Sequence, residues 1–454
     1  MTQTMGQKSL LNGILTLSIP TMLGLMFETL YEIVDMAWVA KLSINSVAAI
    51  TIFATIWWIL NIVNDIVGTS SVSIISRYYG SGDTEKTIEA IEQTIIFKFL
   101  LAFIVGIVMS FFIPSVLSLL TEDREVLELS TVYGRIRLIT LPLAFSSYTV
   151  NTALRCIGDA KKPLYIMAFS GILNMILDPV MIFDVIPYIG IKGMGLGIAG
   201  AAYATVISQA LAFFVGLYVL MSGKTFIKIG FKRGIYFVKS IDMKLLTIGL
   251  PTGLEGLLRN IGNFLIMRFI ASYGVVVVAA YGICIRIVSL IAMPVFGLEM
   301  GTIVIVGQSL GTADCERAEK AGYLTAKLAF GIMLASGLIL VVFSSFIMNI
   351  FTDSEEIIRI GISFLRYFAV AAMFMGLAGS LASILFGAGD NTPSMLGALI
   401  SVWFVQIPLL YIFVQLLHLG VEWVWSTYII AYIVQFIIIL FFVRRGKWRE
   451  KCVI

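Results

Sequence analysis

The chain of 454 residues reads as an all-α integral membrane protein, with twelve transmembrane helices in two pseudo-symmetric six-helix bundles. Three observations predict this. First, 59% of its residues are hydrophobic and only 13% charged, with a mean hydropathy of +0.99, whereas a soluble domain carries roughly a quarter charged residues. Such a chain cannot cover itself with polar surface. Second, its apolar runs at 10–39, 46–76, 95–120 and 329–351 reach or exceed the roughly 20 residues needed to cross a bilayer. Third, sequence landmarks recur at a constant offset of 231 residues.

Charged residues and Gly/Pro punctuation divide the apolar sequence. Helices are expected near 10–39, 46–76, 91–118, 131–155, 163–186 and 196–222, and again near 243–271, 277–306, 321–350, 362–386, 394–416 and 423–443. The first run lacks a short apolar core followed by a small-residue cleavage site, so it reads as a retained helix. With the first residues inside, nineteen Lys and Arg fall in inner segments and four outside (Lys41, Arg124, Lys192 and Arg359). The positive-inside rule then places both termini in the cytoplasm of a cell-membrane protein.

The offset pairs Pro20 with Pro251, Gly80 with Gly311, Asp83 with Asp314, Thr121 with Thr352, Arg135 with Arg366, and Gly158-Asp159 with Gly389-Asp390. A register held over such a stretch marks a duplication, and six spans per copy give parallel repeats. The expected domains are an N-terminal lobe (1–222), a linker (223–242) and a C-terminal lobe (243–454). The linker carries GFKRGIYFVKS, whose basic residues suit a surface of anionic headgroups; membrane lipids are thus an expected partner.

Several function classes lose support. Cys156, Cys284, Cys315 and Cys452 show no CxxC or Cys/His spacing, and His418, the single histidine, falls in a polar link. No HExxH, GxSxG or Walker sequence occurs, so neither an enzyme nor an ATP-driven pump is expected. No cofactor is called for. Gly195, Gly197 and Gly200 fit GxGxxG but lack the strand–helix context of a dinucleotide site; close helix approach explains them better. A net charge of +4 gives no support to nucleic-acid binding. No obligate protein partner is evident.

Ionisable residues within spans are costly and point to function. In MFETLYEIVDMAWV, Glu28, Glu32 and Asp35 fall on one helical stripe, expected to face a single cavity. Like charges there cannot all stay ionised in a low dielectric, so a proton or a metal cation is the expected compensating charge. In ILNMILDPVMIF, Asn174 and Asp178 lie one turn apart, and Pro179 frees a backbone carbonyl. Carboxylate, amide and carbonyl oxygens suit a hard cation such as Na⁺. Thr205 and Ser208 in the next span would complete such a site or bond across helices. Asp65 has no sequence-local partner. In the second half, Glu255 and Arg259 are spaced to neutralise each other, Arg268 and Arg286 lie further along, and Glu299 is left to pair with one of these arginines. The first half is thus the better candidate for cation coupling.

The residues that carry a wider resemblance are IPTMLG, IVDMAWVAKL, YYGSGD with SLGTAD, RCIGDAKKP with FGAGDNTP, and ILNMILDP. In register they resemble the multidrug and toxic compound extrusion (MATE) family, in particular its DinF-like branch, over essentially the whole chain. That resemblance implies two six-helix lobes and a secondary active antiporter working by alternating access, exchanging H⁺ or Na⁺ for an amphipathic organic solute. By motif match Asp35, Asn174, Asp178 and Thr205 form the cation-coupling site, and the only metal expected is a Na⁺ there. Pro20 corresponds to the point where the first helix bends, and Tyr133 and Asn151 to cavity residues alongside Glu28 and Glu32. Glu28 departs from the family, where relatives tend to carry an amide. The acids expected in the first lobe favour cationic or zwitterionic substrates. The alternative on the same fold is a flippase for a lipid-linked or amphipathic lipid substrate, for which a cationic cavity is expected.

Overall fold

A computed structural model describes residues 7–231, 234 and 236–451. Lys232, Arg233 and Cys452, and the side chain of Lys8, lie outside the described residues. The helices are α1 (Gln7–Val39), α2 (Ile44–Gly80), α3 (Thr84–Leu117), α4 (Arg124–Ile139), α5 (Leu141–Cys156), α6 (Lys161–Ile182) and α7 (Ile198–Met221). They continue as α8 (Lys239–Ala271), α9 (Val275–Gly311), α10 (Cys315–Phe351), α11 (Glu355–Ala388), α12 (Thr392–Ala398), α13 (Ile407–Leu410) and α14 (Val421–Arg445). Among the described residues, ten helical stretches are long and apolar enough to cross a membrane. The broken pair α4–α5, and α8 with its Glu255, Arg259 and Arg268, complete the expected twelve.

Two spans depart from the regular helices expected. The fourth breaks at Thr140 between α4 and α5, because Pro142 has no N–H to return to the carbonyl of Leu138. That carbonyl is accommodated by a glycine of α3: a Cβ at Gly106 would lie 2.3 Å from it. The eleventh span is mostly π-helical, with wide turns over Leu399–Gln406 and Tyr411–Leu416 on either side of α13 and its Pro408. The widened turns absorb the donor that Pro408 lacks.

The repeated landmarks turn out to be helix punctuation. Asp83 caps α3 and Asp314 caps α10, each accepting a backbone N–H three residues on, at 3.0 and 2.9 Å. Such a cap satisfies an otherwise orphaned donor. Gly80 and Gly311 end α2 and α9, and Gly158 and Gly389 both adopt positive φ after α5 and α11. Identical turns thus close equivalent helices in both copies.

The chain divides into two compact units, Leu23–Leu246 and Thr247–Ile454 joined by the start of the chain through Met22. The division therefore cuts α1 two residues after Pro20, where the sequence had assigned all of 1–222 to one lobe. Close packing on α9 explains it: a Cβ at Gly297 would lie 2.7 Å from that of Met22, and one at Gly301 2.4 Å from the Ser18 hydroxyl. Two glycines let the first turns of α1 sit against α9 at near-backbone distance.

Within Leu23–Leu246 the linker is strapped to α3 rather than free. Buried Glu92 accepts the backbone N–H groups of Gly230 and Phe231 at 3.0 and 2.8 Å. Gln93 donates to the carbonyl of Tyr236 and accepts from Val238, both at 3.1 Å. The α6–α7 loop explains the glycine-rich motif. Backbone N–H groups of residues 193–197 return to the carbonyls of Val180–Asp184, at 2.8 to 3.0 Å, and so cap the end of α6 that carries Asp178. Gly200 packs there so closely that a Cβ would lie 2.4 Å from the carbonyl of Met181. Because that obstacle is backbone, Gly200→Val is expected to destabilise the protein by about 1–3 kcal/mol. Its melting temperature in detergent, against that of Gly282→Ala, where a Cβ meets open space, checks this.

Candidate functional site

The unit Leu23–Leu246 gathers charge in its interior. Asp178 on α6 is fully buried and Asn174, one turn earlier, is 1% exposed; the Asn174 amide donates to Asp178 Oδ1 at 3.3 Å. The carboxyl of half-buried Asp35 on α1 adjoins that of Asp178. Thr205 on α7 is buried, and its hydroxyl donates to the carbonyl of Ala201 on its own helix at 3.0 Å. Its donor is thereby spent, leaving the hydroxyl oxygen only its capacity to accept. Among the described residues, Asp35 Oδ1, Asn174 Oδ1 and Asp178 Oδ2 are all buried acceptors without a hydrogen-bond partner. Orphaned acceptors of this kind are expensive. Among the described residues no three His, Cys, Asp or Glu side chains converge as a metal site. Carboxylate and amide oxygens are the ligand types that hard cations take.

Tyr133 on α4 is buried, edge-on to Phe53 at 5.4 Å between ring centres. Asp35, Asp178 and Arg137 all act electrostatically on it, so it borders the two acids. Asn151 on α5 is 7% exposed with its amide oxygen unpartnered, one turn before Arg155. Pro20 lies inside α1.

The expected single stripe of acids is resolved into separate partnerships. Glu32 and Asp35 have Arg137 as their nearby cation, while Glu28 has Arg155. Arg137 is stacked over Trp57, 4.4 Å from the ring centre. Arg155 donates to Thr152 at 3.0 Å. Asp65, exposed on α2, has Lys98 of α3 within electrostatic reach. Lys98 is 1% exposed, and among the described residues its ammonium has no hydrogen-bond partner. Tyr148 lies under both Lys98 and Arg155, at 5.1 and 5.8 Å from the ring centre.

The sequence reading missed Lys98, Arg137 and Arg155. The signal was present, since Lys98 and Arg137 fall inside expected spans and obey the same rule as the acids. Arg155 closes the expected span at 131–155 and is a buried residue of α5. The interior of the first repeat is therefore of mixed charge rather than acidic, correcting the expectation of an anionic cavity.

The second repeat supplies an internal control. At the offset of 231, Asp35, Lys98, Tyr133 and Arg137 correspond to Ile266, Ala329, Phe364 and Phe368. All four lie in the apolar core of the other unit. There Phe364 meets Trp425 at 4.9 Å and Phe368 at 5.6 Å between ring centres. The same scaffold thus folds with hydrocarbon at positions where the first repeat keeps charge. In that second unit Arg259 pairs with Glu255 at 2.9 Å and also feels Glu299, so its acids have a resident counter-ion.

A repeated scaffold of twelve spans with a charged first copy narrows the class, and comparison with known proteins decides it. The MatE family model matches residues 20–180 and again 251–412, the two copies read from the sequence. The chain belongs to the MatE family. It is similar to the "Probable multidrug resistance protein YoeA" of Bacillus subtilis, at 25% identity over 99% of this chain and 96% of that protein. A FAD transporter of Shewanella oneidensis is also 25% identical, over 76% of this chain and 75% of its own length. A solved MOP-superfamily transporter from Pyrococcus furiosus, described for the reverse polarity of its binding pocket, superposes with a TM-score of 0.88. It shares 27% identity and covers 99% of this chain and 100% of its own. As a MatE protein the chain is a multi-pass membrane transporter and not an enzyme.

Proposed function

We propose that this MatE protein, of the DinF-like branch, is a cation-coupled antiporter exporting amphipathic organic solutes across the cell membrane, with both termini in the cytoplasm. The carrying observation is the set of orphaned buried oxygens on Asp35, Asn174 and Asp178, at a place where the second repeat needs only hydrocarbon. H⁺ or Na⁺ taken up there neutralises the two carboxyls and completes their coordination, with Thr205 contributing lone pairs. Neutralisation lowers the cost of moving α1, whose packing changes partner beside Pro20. Glu28, Glu32, Tyr133 and Asn151 would meet the substrate or gate its path. Relatives named for multidrug resistance support the substrate class.

Lys98, Arg137 and Arg155 favour a second reading, a substrate bearing a phosphate, including a flipped lipid or lipid-linked solute. Proteoliposomes with an imposed pH or sodium gradient test the first reading. A gradient of one ion is expected to drive efflux of a fluorescent cationic dye. Dye that stays put under both gradients overturns the antiporter, and gradient-independent movement of a labelled lipid supports the second reading.

A further inference from the structure

The two repeats have diverged at almost every interior charge, yet Arg135 and Arg366 stand at the same register. Each is exposed, eleven residues into its helix, which is about 16 Å along the axis. In the unit Thr247–Ile454, α11 packs antiparallel to α10. At that depth α10 turns Leu338, Ile339 and Val342 outward, and Phe346 nearer the end. Arg366 is therefore a cation level with an exposed apolar belt, where a lone charge is costly and needs a partner.

Among the described residues neither Arg359 nor Arg366 has a hydrogen-bond or ion-pair partner. Both instead line a cavity of about 580 Å³ formed by the end of α10 and the starts of α11 and α14. Ser363, Tyr367 and Asn349 add polar groups, Ile358 and Ile362 an apolar wall, and Glu355 and Glu422 two carboxylates. Arginine reaches from such a depth toward headgroups while its stem stays in hydrocarbon, and its planar fork suits phosphate. Two cations beside two anions complement a zwitterion rather than a simple anion.

We propose that this cavity is a fixed binding site for an aminophospholipid headgroup, its phosphate held by Arg359 and Arg366 and its amine by Glu355 and Glu422. The site lies at the start of α14, the opposite end of that helix from Arg445, and is independent of the coupling set, so it stands or falls apart from the antiport reading. The ligand acts as a structural lipid of the second repeat.

The test is photolabelling in nanodiscs with a photoactivatable phosphatidylethanolamine, read by mass spectrometry of the peptide spanning 355–367. Labelling is expected in the parent and should fall about tenfold in Arg359→Gln/Arg366→Gln, the loss of charge-assisted hydrogen bonds. Arg366→Lys, which keeps the charge but not the planar fork, should label less than the parent yet clearly more than the double glutamine variant, and guards against a folding defect. Phosphatidylglycerol should compete poorly with the parent label, and Glu355→Gln/Glu422→Gln should erase that preference. Undiminished labelling of the double arginine variant overturns the site. So does displacement by water-soluble glycerophosphoethanolamine at the lipid's own concentration, which would identify a soluble phosphate ester instead. Equal competition by phosphatidylglycerol in the parent overturns the aminophospholipid assignment.

Discussion

Asp178→Asn is expected to reduce gradient-driven efflux by about a hundredfold or more while leaving the melting temperature unchanged or raised. The buried carboxylate has one oxygen held by Asn174 and the other unpartnered. An amide of the same shape keeps the volume and removes the charge that would hold an incoming H⁺ or Na⁺. It also removes a buried ion whose desolvation opposes folding. Loss of transport with intact stability distinguishes a coupling group from a structural one. Dye efflux in proteoliposomes and a melting curve in detergent provide the two measurements. Asp35→Asn should behave alike, since its carboxyl adjoins the same site. Parent-like transport by both variants would remove the site assignment and leave membership of the family untouched.

The second large effect is expected at the Asp65–Lys98 pair, and it is asymmetric. Lys98 is 1% exposed with no hydrogen-bond partner, whereas Asp65 is exposed. Removing the acid leaves a buried ammonium without its nearby countercharge; removing the lysine takes away the fully buried charge and leaves a carboxylate that the protein does not enclose. Asp65→Leu should therefore destabilise the unit by about 2 kcal/mol, below the usual cost for a fully buried pair because one partner is exposed. Lys98→Met should cost little, and the double variant should recover most of the loss. Ala329, the buried counterpart of Lys98 in the second repeat, already shows that this position packs without charge. A double-mutant cycle read by denaturation in mild detergent measures the coupling. Equal losses from both single variants would mean that burial of Lys98 is not the governing term.

Much of this architecture was legible because the bilayer imposes simple constraints. A span must be long, apolar and internally hydrogen-bonded, so its run length, its flanking charges and the cap residues Asp83 and Asp314 can be read in a line of text. The duplication was equally open, since Pro20 and Pro251 or Gly158 and Gly389 keep register without any knowledge of contacts. Local interruptions were less readable. Pro142 and Pro408 stand in the sequence, but whether a proline breaks a helix or is absorbed by π turns depends on the neighbours that receive the freed carbonyl. Gly106 is such a neighbour, and nothing nearby in sequence links it to Leu138.

By itself the sequence determined the solvent, the spans, the repeat and the short list of acids, because each follows from local composition or from periodicity. Only the tertiary structure decided which charges answer each other. Arg137 beside Asp35, Arg155 beside Glu28 and Lys98 beside Asp65 join different helices. Such pairings are set by helix packing at separations that no local pattern encodes. The structure also moved the division of the chain into the first helix, where Gly297 and Gly301 admit Met22 and Ser18. Close approach of two backbones is a property of both surfaces at once, and one strand of text carries only one of them at a time.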